Sequence, residues 1–279
     1  MNLKDQIFTP SQREIIRQVQ VNLPFYMLAE DSWQELLFAL ALNPEIGLDA
    51  RALDRFKVSD FSDMAKKLQD RGLSITIHGP FLDLSPGSPD PIIREATNQR
   101  FQQMIDAVEI FKPKNVVCHA AYDTSRYDFC RDEWYANSIE TWNWVAQSVK
   151  TAGARLMLEN VYEQTPEDLL KILTQFDPDL IGCCLDIGHQ AVFSKKPLSE
   201  WIEKLGSWIR HLHLHDNDAD FDAHLPLGAG SIDLKPVSDF LAACDPFPVI
   251  TLEPHRQEDL RTSILYIDQH NILNQNSPI

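Results

Sequence analysis

Short apolar runs alternate with longer amphipathic segments about eight times along the chain. Runs of this length, separated by amphipathic stretches of about ten residues or more, predict parallel strands joined by crossover helices. The predicted strands cover residues 19–27, 45–48, 73–78, 115–119, 155–159, 180–186, 209–215 and 249–253. The predicted helices cover residues 32–42, 60–71, 91–111, 132–151, a segment that begins at Thr165-Pro166, 198–205, 234–244 and 257–266. Eight such units predict an α/β fold closed into a (β/α)8 TIM barrel, with a doubly wound open sheet as the alternative.

The chain contains no Gly/Ser-rich linker and no low-complexity tract. Its 279 residues suit a single barrel domain spanning residues 1–279. Residues 1–18 precede the first predicted strand, and we interpret them as an N-terminal extension of that domain.

The charge balance is strongly acidic, with a net charge of −16 and 41 acidic against 25 basic residues. Lysine and arginine form no cluster, which disfavours nucleic acid and anionic membranes as partners. The five cysteines are odd in number and show no CxxC spacing, which is typical of reduced thiols in a cytoplasmic protein. Residues 1–20 contain no apolar run, and no stretch reaches the length of a membrane helix, so we expect neither a signal peptide nor a membrane anchor.

Six of the predicted strands carry a histidine or a carboxylate at or near their carboxyl end. The carboxyl ends of barrel strands surround one shared volume, where the active sites of such barrels lie. Imidazole and carboxylate groups are the usual protein ligands of zinc and manganese. The sequence therefore predicts a metal site built from His78, His119, Glu159, Asp186, His213 and Glu253.

Three further residues extend this set. A turn after Asp186 brings His189 back over the site, and Asp222 and His224 share one side of an extended loop. A single strand-terminal histidine is more often a hydrogen-bonded core residue, but nine such residues on one barrel face favour a shared site. We expect His211 and His215, which alternate with His213, to pair with carboxylates or to face the other way.

Seven short motifs carry a resemblance to a known family. In this order along the chain, they resemble the endonuclease IV family and, more broadly, the xylose isomerase-like barrels. The motifs cover most of residues 74–255 and comprise His78-Gly-Pro-Phe-Leu82, Val117-Cys-His119, Leu158-Glu159-Asn160, Leu185-Asp186-Ile-Gly-His189, His213-Leu-His-Asp216, Asp222-Ala-His224-Leu-Pro-Leu-Gly-Ala-Gly230 and Leu252-Glu253.

This resemblance implies a centre of two or three divalent ions, zinc first and manganese as the alternative. It implies that Glu159 bridges two ions, one completed by His78 and His119 and the other by Asp186, His213 and Glu253. His189, Asp222 and His224 would hold the third ion. The implied reaction is phosphodiester cleavage by a metal-bound hydroxide, with Glu159, Asp186 and Glu253 as the catalytic carboxylates.

The acidic surface departs from the DNA-binding members of that family and favours a small-molecule phosphodiester or cofactor as substrate. The sequence also resembles bacterial cobamide-remodelling phosphodiesterases of the same superfamily. Candidate substrate contacts in the loops are Phe81, Arg94, Tyr122, Arg126, Tyr162 and His255.

Three alternatives stay open. The first is a sugar (phosphate) isomerase or epimerase with one ion held by Glu159, Asp186, His213 and Glu253, in which Glu159 and Glu253 serve as the acid–base pair. The second is a DNA endonuclease for abasic sites. The third is a binding protein without turnover. The sequence does not indicate the oligomeric state.

Overall fold

The computed structural model describes residues 8–29 and 31–273 and shows a closed barrel of eight parallel strands. The strands follow one another around the barrel in chain order, and the first pairs with the last. This arrangement confirms the predicted (β/α)8 fold. The strands are β1 Val19–Pro24, β2 Asn43–Gly47, β3 Thr76–His78, β4 Asn115–His119, β5 Arg155–Glu159, β6 Ile181–Asp186, β7 Ile209–Leu214 and β8 Val249–Leu252.

Helices surround the barrel and pack their apolar faces against it. In chain order they are α1 Pro10–Gln18, α2 Phe25–Leu28, α3 Asp31–Leu40, α4 Ala50–Arg55, α5 Val58–Gln69, α6 Pro91–Phe111, α7 Thr124–Tyr127, α8 Arg131–Thr151, α9 Pro166–Leu173, α10 Ile187–Phe193, α11 Leu198–Leu205, α12 Lys235–Ala243 and α13 Gln257–His270. The predicted bounds of the long helices agree with these to within about two residues at most ends. The predicted first strand is too long, because the chain turns into α2 directly after Pro24.

The strand register brings the predicted site residues side by side. His119 at the end of β4 lies beside Glu159 at the end of β5. Asp186 at the end of β6 lies beside His213 in β7. Because neighbouring strands in a parallel sheet are about 4.8 Å apart, these pairs place imidazole and carboxylate groups within reach of each other.

The barrel interior holds both an apolar and a polar layer. Val117, Met157 and Cys184 form a small buried cluster that is separate from the main core between barrel and helices. Next to it lies a group of fully buried polar side chains that includes Glu45, His211 and Thr251. A buried carboxylate is costly unless it is paired, so this polar layer needs the contacts described below.

The helices at the two ends of the described chain pack against each other. In α1, Ser11 Oγ and Gln12 Nε2 donate to the carboxylate of Asp268 in α13 at 2.5 and 3.0 Å. Residues 1–7 of the predicted N-terminal extension lie outside the described residues. All five cysteines are unpaired, as expected, and three of them are buried. Within the described ranges, no helix combines the length and apolarity needed to cross a membrane.

Candidate metal centre

The structure brings all nine predicted ligand residues together at the carboxyl ends of the strands. We call them the nine-residue cluster. Its members contact one another through imidazole nitrogens and carboxylate oxygens at distances between 3.0 and 3.7 Å: His78, His119, Glu159, Asp186, His189, His213, Asp222, His224 and Glu253.

Glu159 occupies the middle of the cluster and is 1% exposed. Its Oε2 lies 3.1 Å from His78 Nε2 and 3.4 Å from His119 Nε2. Its Oε1 lies 3.2 Å from both His189 Nδ1 and His213 Nδ1. The two oxygens of one carboxylate therefore face two separate sets of histidines.

His213 Nδ1 faces three carboxylates at once. Besides Glu159, Glu253 Oε1 lies 3.2 Å away and Asp186 Oδ2 lies 3.6 Å away. These four side chains are supplied by β5, β6, β7 and the end of β8. One nitrogen and three carboxylate groups converging on one point form a donor set suited to a divalent cation.

A third group lies at the outer edge of the cluster. Asp222 Oδ2 lies 3.2 Å from His189 Nε2 and 3.0 Å from His224 Nε2. His224 is a loop residue, and its own backbone has a positive φ of 47°. Its Nδ1 lies 3.4 Å from Glu253 Oε2, which connects this group to the rest of the cluster.

Side-chain and backbone contacts hold the cluster in position. Asn160 donates to the backbone oxygen of Asp186 and accepts from its backbone nitrogen, both at 2.9 Å, so it joins the ends of β5 and β6. His78 Nδ1 lies 2.9 Å from the Gly79 oxygen. A proton on that nitrogen leaves the Nε2 lone pair directed at Glu159, which suits a ligand.

Two other histidines, His211 in β7 and His215 directly after it, also point into the barrel. His211 Nε2 lies 3.2 Å from Glu45 Oε2, and His215 Nε2 lies 3.1 Å from Asp186 Oδ1. The expected pairing with carboxylates is therefore confirmed, and the expectation that they face the other way is wrong. Residues two apart in a strand share a face, so all three histidines had to point the same way.

The charges of the cluster stabilise one another. Burial opposes ionisation of Glu159, but the charged imidazole of His213 and the hydrogen bonds from His189 and His213 hold its pKa well below the usual value. Burial likewise opposes the charge on His224, yet Asp222 and Glu253 raise the pKa of its imidazole to about 9. Burial dominates at His119 and lowers its pKa to about 3, which leaves that imidazole neutral and free to act as a ligand.

Exposed apolar side chains surround the cluster. Phe81 is 46% exposed, and its ring stacks on His119 with centroids 4.6 Å apart. Tyr162 is 46% exposed and packs edge-on against Phe193. His255 is stacked on His224 at 4.7 Å. Phe193 in turn lies with its ring centroid 6.2 Å from that of His189. Of the six predicted substrate contacts, Phe81 and His255 therefore touch the cluster, and Tyr162 lies one ring away from it.

The other three predicted substrate contacts have their partners elsewhere. Tyr122 is fully buried, stacks on Tyr135 at 4.7 Å and accepts a hydrogen bond from Arg131, so its ring is not open to a substrate in this structure. Arg94 donates to the Ser88 oxygen and lines a cavity of about 360 Å³ between α6 and α8. The exposed Arg126 lies over the ring of its neighbour Tyr127. Neither arginine contacts the cluster in the interactions of the described residues.

The donor set fits divalent metal. Several triads of the cluster have ligand atoms within 4.8 Å of one another, including His78, Glu159 and His213, and likewise His189, Asp222 and His224. In addition, Asp222 Oδ1 is buried and has no hydrogen-bond donor among the described residues. A buried carboxylate oxygen without a donor is unfavourable, and a cation would satisfy it.

The fold and this centre define a (β/α)8-barrel protein with a candidate metal site at the carboxyl face of the barrel. Residues 40–270 match the family model described as xylose isomerase-like TIM barrel. The chain therefore belongs to the xylose isomerase-like TIM barrel family, as its motifs indicate.

Individual proteins are similar to this chain in sequence or in fold. The uncharacterized protein MJ1311 of Methanocaldococcus jannaschii is 32% identical over 197 residues, which cover 67% of each chain. The TTHB071 protein from Thermus thermophilus, soaked with ZnCl2, is 25% identical with a TM-score of 0.77, covering 94% of this chain and 100% of that one. A D-tagatose 3-epimerase-like protein is 23% identical with a TM-score of 0.76, covering 92% of this chain and 98% of that one.

Proposed function

We propose that this protein is a metal-dependent hydrolase that cleaves a phosphodiester bond in a small molecule or cofactor. The arrangement of Glu159 carries this proposal, because its Oε2 faces His78 and His119 whereas its Oε1 faces His189 and His213. A carboxylate placed in this way suits a bridge between two metal positions. A reaction that needs one ion gives His78 and His119 no role as ligands.

The cluster divides into three candidate ligand groups. His78 and His119 would hold one ion together with Glu159. Asp186, His213 and Glu253 would hold a second with the same glutamate. His189, Asp222 and His224 would hold a third. Five imidazoles among nine ligands favour zinc, with manganese as the alternative.

Zinc supplies two kinds of chemistry when it is bound: it lowers the pKa of water to about 7, and it stabilises negative charge on a phosphoryl group. The protein's own contribution is to position the ions and the substrate. Glu159 fixes the spacing between two ligand groups, and His224 and Asp222 close the outer edge. Phe81 and Tyr162 offer apolar surface to the part of the substrate that flanks the phosphodiester.

The net charge of −16 favours a small substrate over nucleic acid. The polar cluster with an apolar rim suits a phosphodiester attached to a large, partly apolar group. A cobamide has this chemistry, and it is the cofactor to assay first.

Metal content and activity test this proposal together. We expect two or three zinc ions per chain by elemental analysis, and hydrolysis of bis(p-nitrophenyl) phosphate that chelators abolish. The substitution His224→Ala should lower this turnover by about 100-fold or more and remove one ion, because it deletes a ligand. His270→Ala is the matched control, since His270 is an exposed residue of α13 that stacks on Tyr266. One ion per chain would contradict the hydrolase proposal, and full turnover in His224→Ala would contradict the third ligand group.

A second candidate is a sugar epimerase or isomerase with one metal ion, and the named activities of similar proteins favour it over hydrolysis. The solved structures similar to this chain include several that carry the names of sugar epimerases, at 14–17% identity, where the likeness shows the fold. Here Glu159 and Glu253, both 3.2 Å from His213 Nδ1, would flank the substrate as an acid–base pair.

The two candidates respond differently to the same variants. Glu253→Gln should abolish turnover in either case. His224→Ala should spare an epimerase, because its ion needs only Glu159, Asp186, His213 and Glu253. Interconversion of ketoses that persists in His224→Ala, with one ion per chain, would establish the second candidate and exclude the first.

A further inference from the structure

A buried carboxylate of β2 lies next to the nine-residue cluster without belonging to it. Glu45 is 0% exposed, which is rare for a glutamate unless its charge is paired. None of the roles proposed above uses it. It lies inside the barrel on β2, whose neighbour β3 carries His78.

The contacts of Glu45 divide between its two oxygens. Its Oε2 accepts hydrogen bonds from Thr76 Oγ1 and Thr251 Oγ1, each at 3.0 Å, and lies 3.2 Å from His211 Nε2. Those contacts come from β3, β8 and β7, so they anchor the carboxylate to three strands. Its Oε1 is left facing the metal side.

On that side, Oε1 lies 2.9 Å from His213 Nε2. The opposite nitrogen of the same ring, Nδ1, faces Glu159 and Glu253 at 3.2 Å each. In many metal sites, a ligating imidazole has its second nitrogen held by a carboxylate, which orients the ring and fixes which nitrogen offers its lone pair. The buried His213 Nε2 makes no hydrogen bond to any described residue, and Glu45 Oε1, 2.9 Å away, is the carboxylate oxygen placed to hold it.

Asn22 extends the same contact to a second ligand. Its Nδ2 lies 3.2 Å from Glu45 Oε1 and 3.0 Å from Glu253 Oε1. One amide group therefore connects the buried carboxylate to a carboxylate of the cluster. Two members of the four-residue group around His213 Nδ1 thus contact Glu45, His213 directly and Glu253 through Asn22.

We propose that Glu45 is a positioning residue that holds His213 with Nδ1 directed at the metal site and, through Asn22, holds Glu253. The inference rests on the proposed metal centre. It applies equally to the hydrolase and to the epimerase, because both use His213 and Glu253.

Zinc affinity of the folded protein, measured by competition with a fluorescent chelator, tests this role. Glu45→Gln keeps the shape of the side chain but removes its charge, and we expect zinc affinity to fall by about 10- to 100-fold. The matched control is Glu163→Gln, which removes an equally buried carboxylate. Glu163 accepts hydrogen bonds from the backbone nitrogens of Tyr122 and Val161 instead. The zinc affinity of the Glu163→Gln variant should stay within about threefold of wild type.

The outcomes separate this inference from the function on which it rests. Equal zinc affinity in wild type and Glu45→Gln, or an equal loss in both variants, would show that Glu45 only stabilises the fold. If wild type binds no zinc, the metal centre itself fails.

A second measurement needs no variant. In histidine-labelled, zinc-loaded wild type, nitrogen NMR should show His213 bound through Nδ1 with a hydrogen-bonded proton on Nε2. Zinc bound through Nε2 would overturn the proposal even if Glu45→Gln does not fold.

Discussion

At the residue scale, the centre contains more charge than an isolated buried site could tolerate. Four carboxylates and five imidazoles lie within contact distance of one another. The carboxylates lower the free-energy cost of burying charged imidazoles, and the imidazoles lower the cost of burying the carboxylates. Without metal, protons on the imidazoles balance the carboxylates. With metal, the same nitrogens must be deprotonated to act as ligands. Protons and cations therefore compete for one set of atoms.

This competition predicts that a rise in pH lowers the stability of the metal-free protein and raises its zinc affinity. The pKa of His224 is raised to about 9 in the folded protein, against about 6.5 when unfolded. The stability that its charge contributes is fully present below the unfolded pKa and is lost as the pH rises through 9. Since one pKa unit corresponds to about 1.4 kcal/mol, this imidazole contributes on the order of 3 kcal/mol.

Thermal unfolding in the presence of a chelator should therefore show a melting temperature that falls between pH 7 and pH 10. The fall should be smaller in His224→Ala than in wild type, and it should be the same in His270→Ala as in wild type. Zinc affinity should rise over the lower part of the same range. A metal-free melting temperature that stays flat between these pH values would show that the imidazole is not charged in the folded protein.

The sequence alone was sufficient to locate the nine-residue cluster, because histidines and carboxylates at the carboxyl ends of barrel strands all face one shared volume. Their roles as ligands stay predictions. Glu45 was missed as a contributor, although a glutamate inside a buried strand such as Asn43–Gly47 is itself a signal of a paired charge. Tyr122, predicted to contact the substrate, is buried, because a loop position in sequence does not reveal whether the ring points outward or into the core.

At the element scale, the connection from β6 to α10 determines where His189 lies. Asp186 ends the strand and caps the helix, since its Oδ1 accepts from the His189 backbone nitrogen at 2.7 Å. The helix is seven residues long, and its second residue, Gly188, lies against the ring of His215. Helices this short cannot be distinguished from turns by periodicity, which explains why α2, α4, α7 and α10 were not predicted.

A side chain at Gly188 should disturb this connection. A Cβ there would lie 1.9 Å from His215 Cε1, so Gly188→Ala must displace a ring that is fully enclosed and contacts Asp186. We expect a loss of about 1–3 kcal/mol of stability and weaker zinc binding. Gly72→Ala is the control: a Cβ there meets no atom within 4 Å, and its positive φ of 67° costs ~1 kcal/mol without affecting zinc. Wild-type zinc affinity in Gly188→Ala would show that the ring can move without consequence for the centre.

At the scale of the whole molecule, the barrel concentrates residues that are distant in sequence, from His78 to Glu253, into one cluster, while the surface stays acidic. The long elements were predictable because amphipathic periodicity is strong over ten or more residues. What the pattern could not supply is the identity of the substrate, because the rim of Phe81 and Tyr162 depends on loop conformation.

The charge distribution leads to one further prediction. A duplex oligonucleotide with an abasic site should be neither bound nor cleaved at physiological ionic strength, even by zinc-loaded protein that hydrolyses small phosphodiesters. A net charge of −16 repels a polyanion, and no cluster of lysine and arginine offsets it. Cleavage of the abasic duplex at a rate comparable with the small substrate would contradict this.

Because β1 pairs with β8 and α1 packs on α13, no strand is first or last in the folded molecule. The closed barrel therefore does not determine which strand must come first along the chain. Joining Phe8 and Leu273, the ends of the described chain, through a flexible linker and opening the chain at the Gly153 turn, where a Cβ meets nothing within 4 Å, would yield a circular permutant. Such a permutant would start at β5, with Glu159 close to its new N-terminus, and would still assemble the same donors.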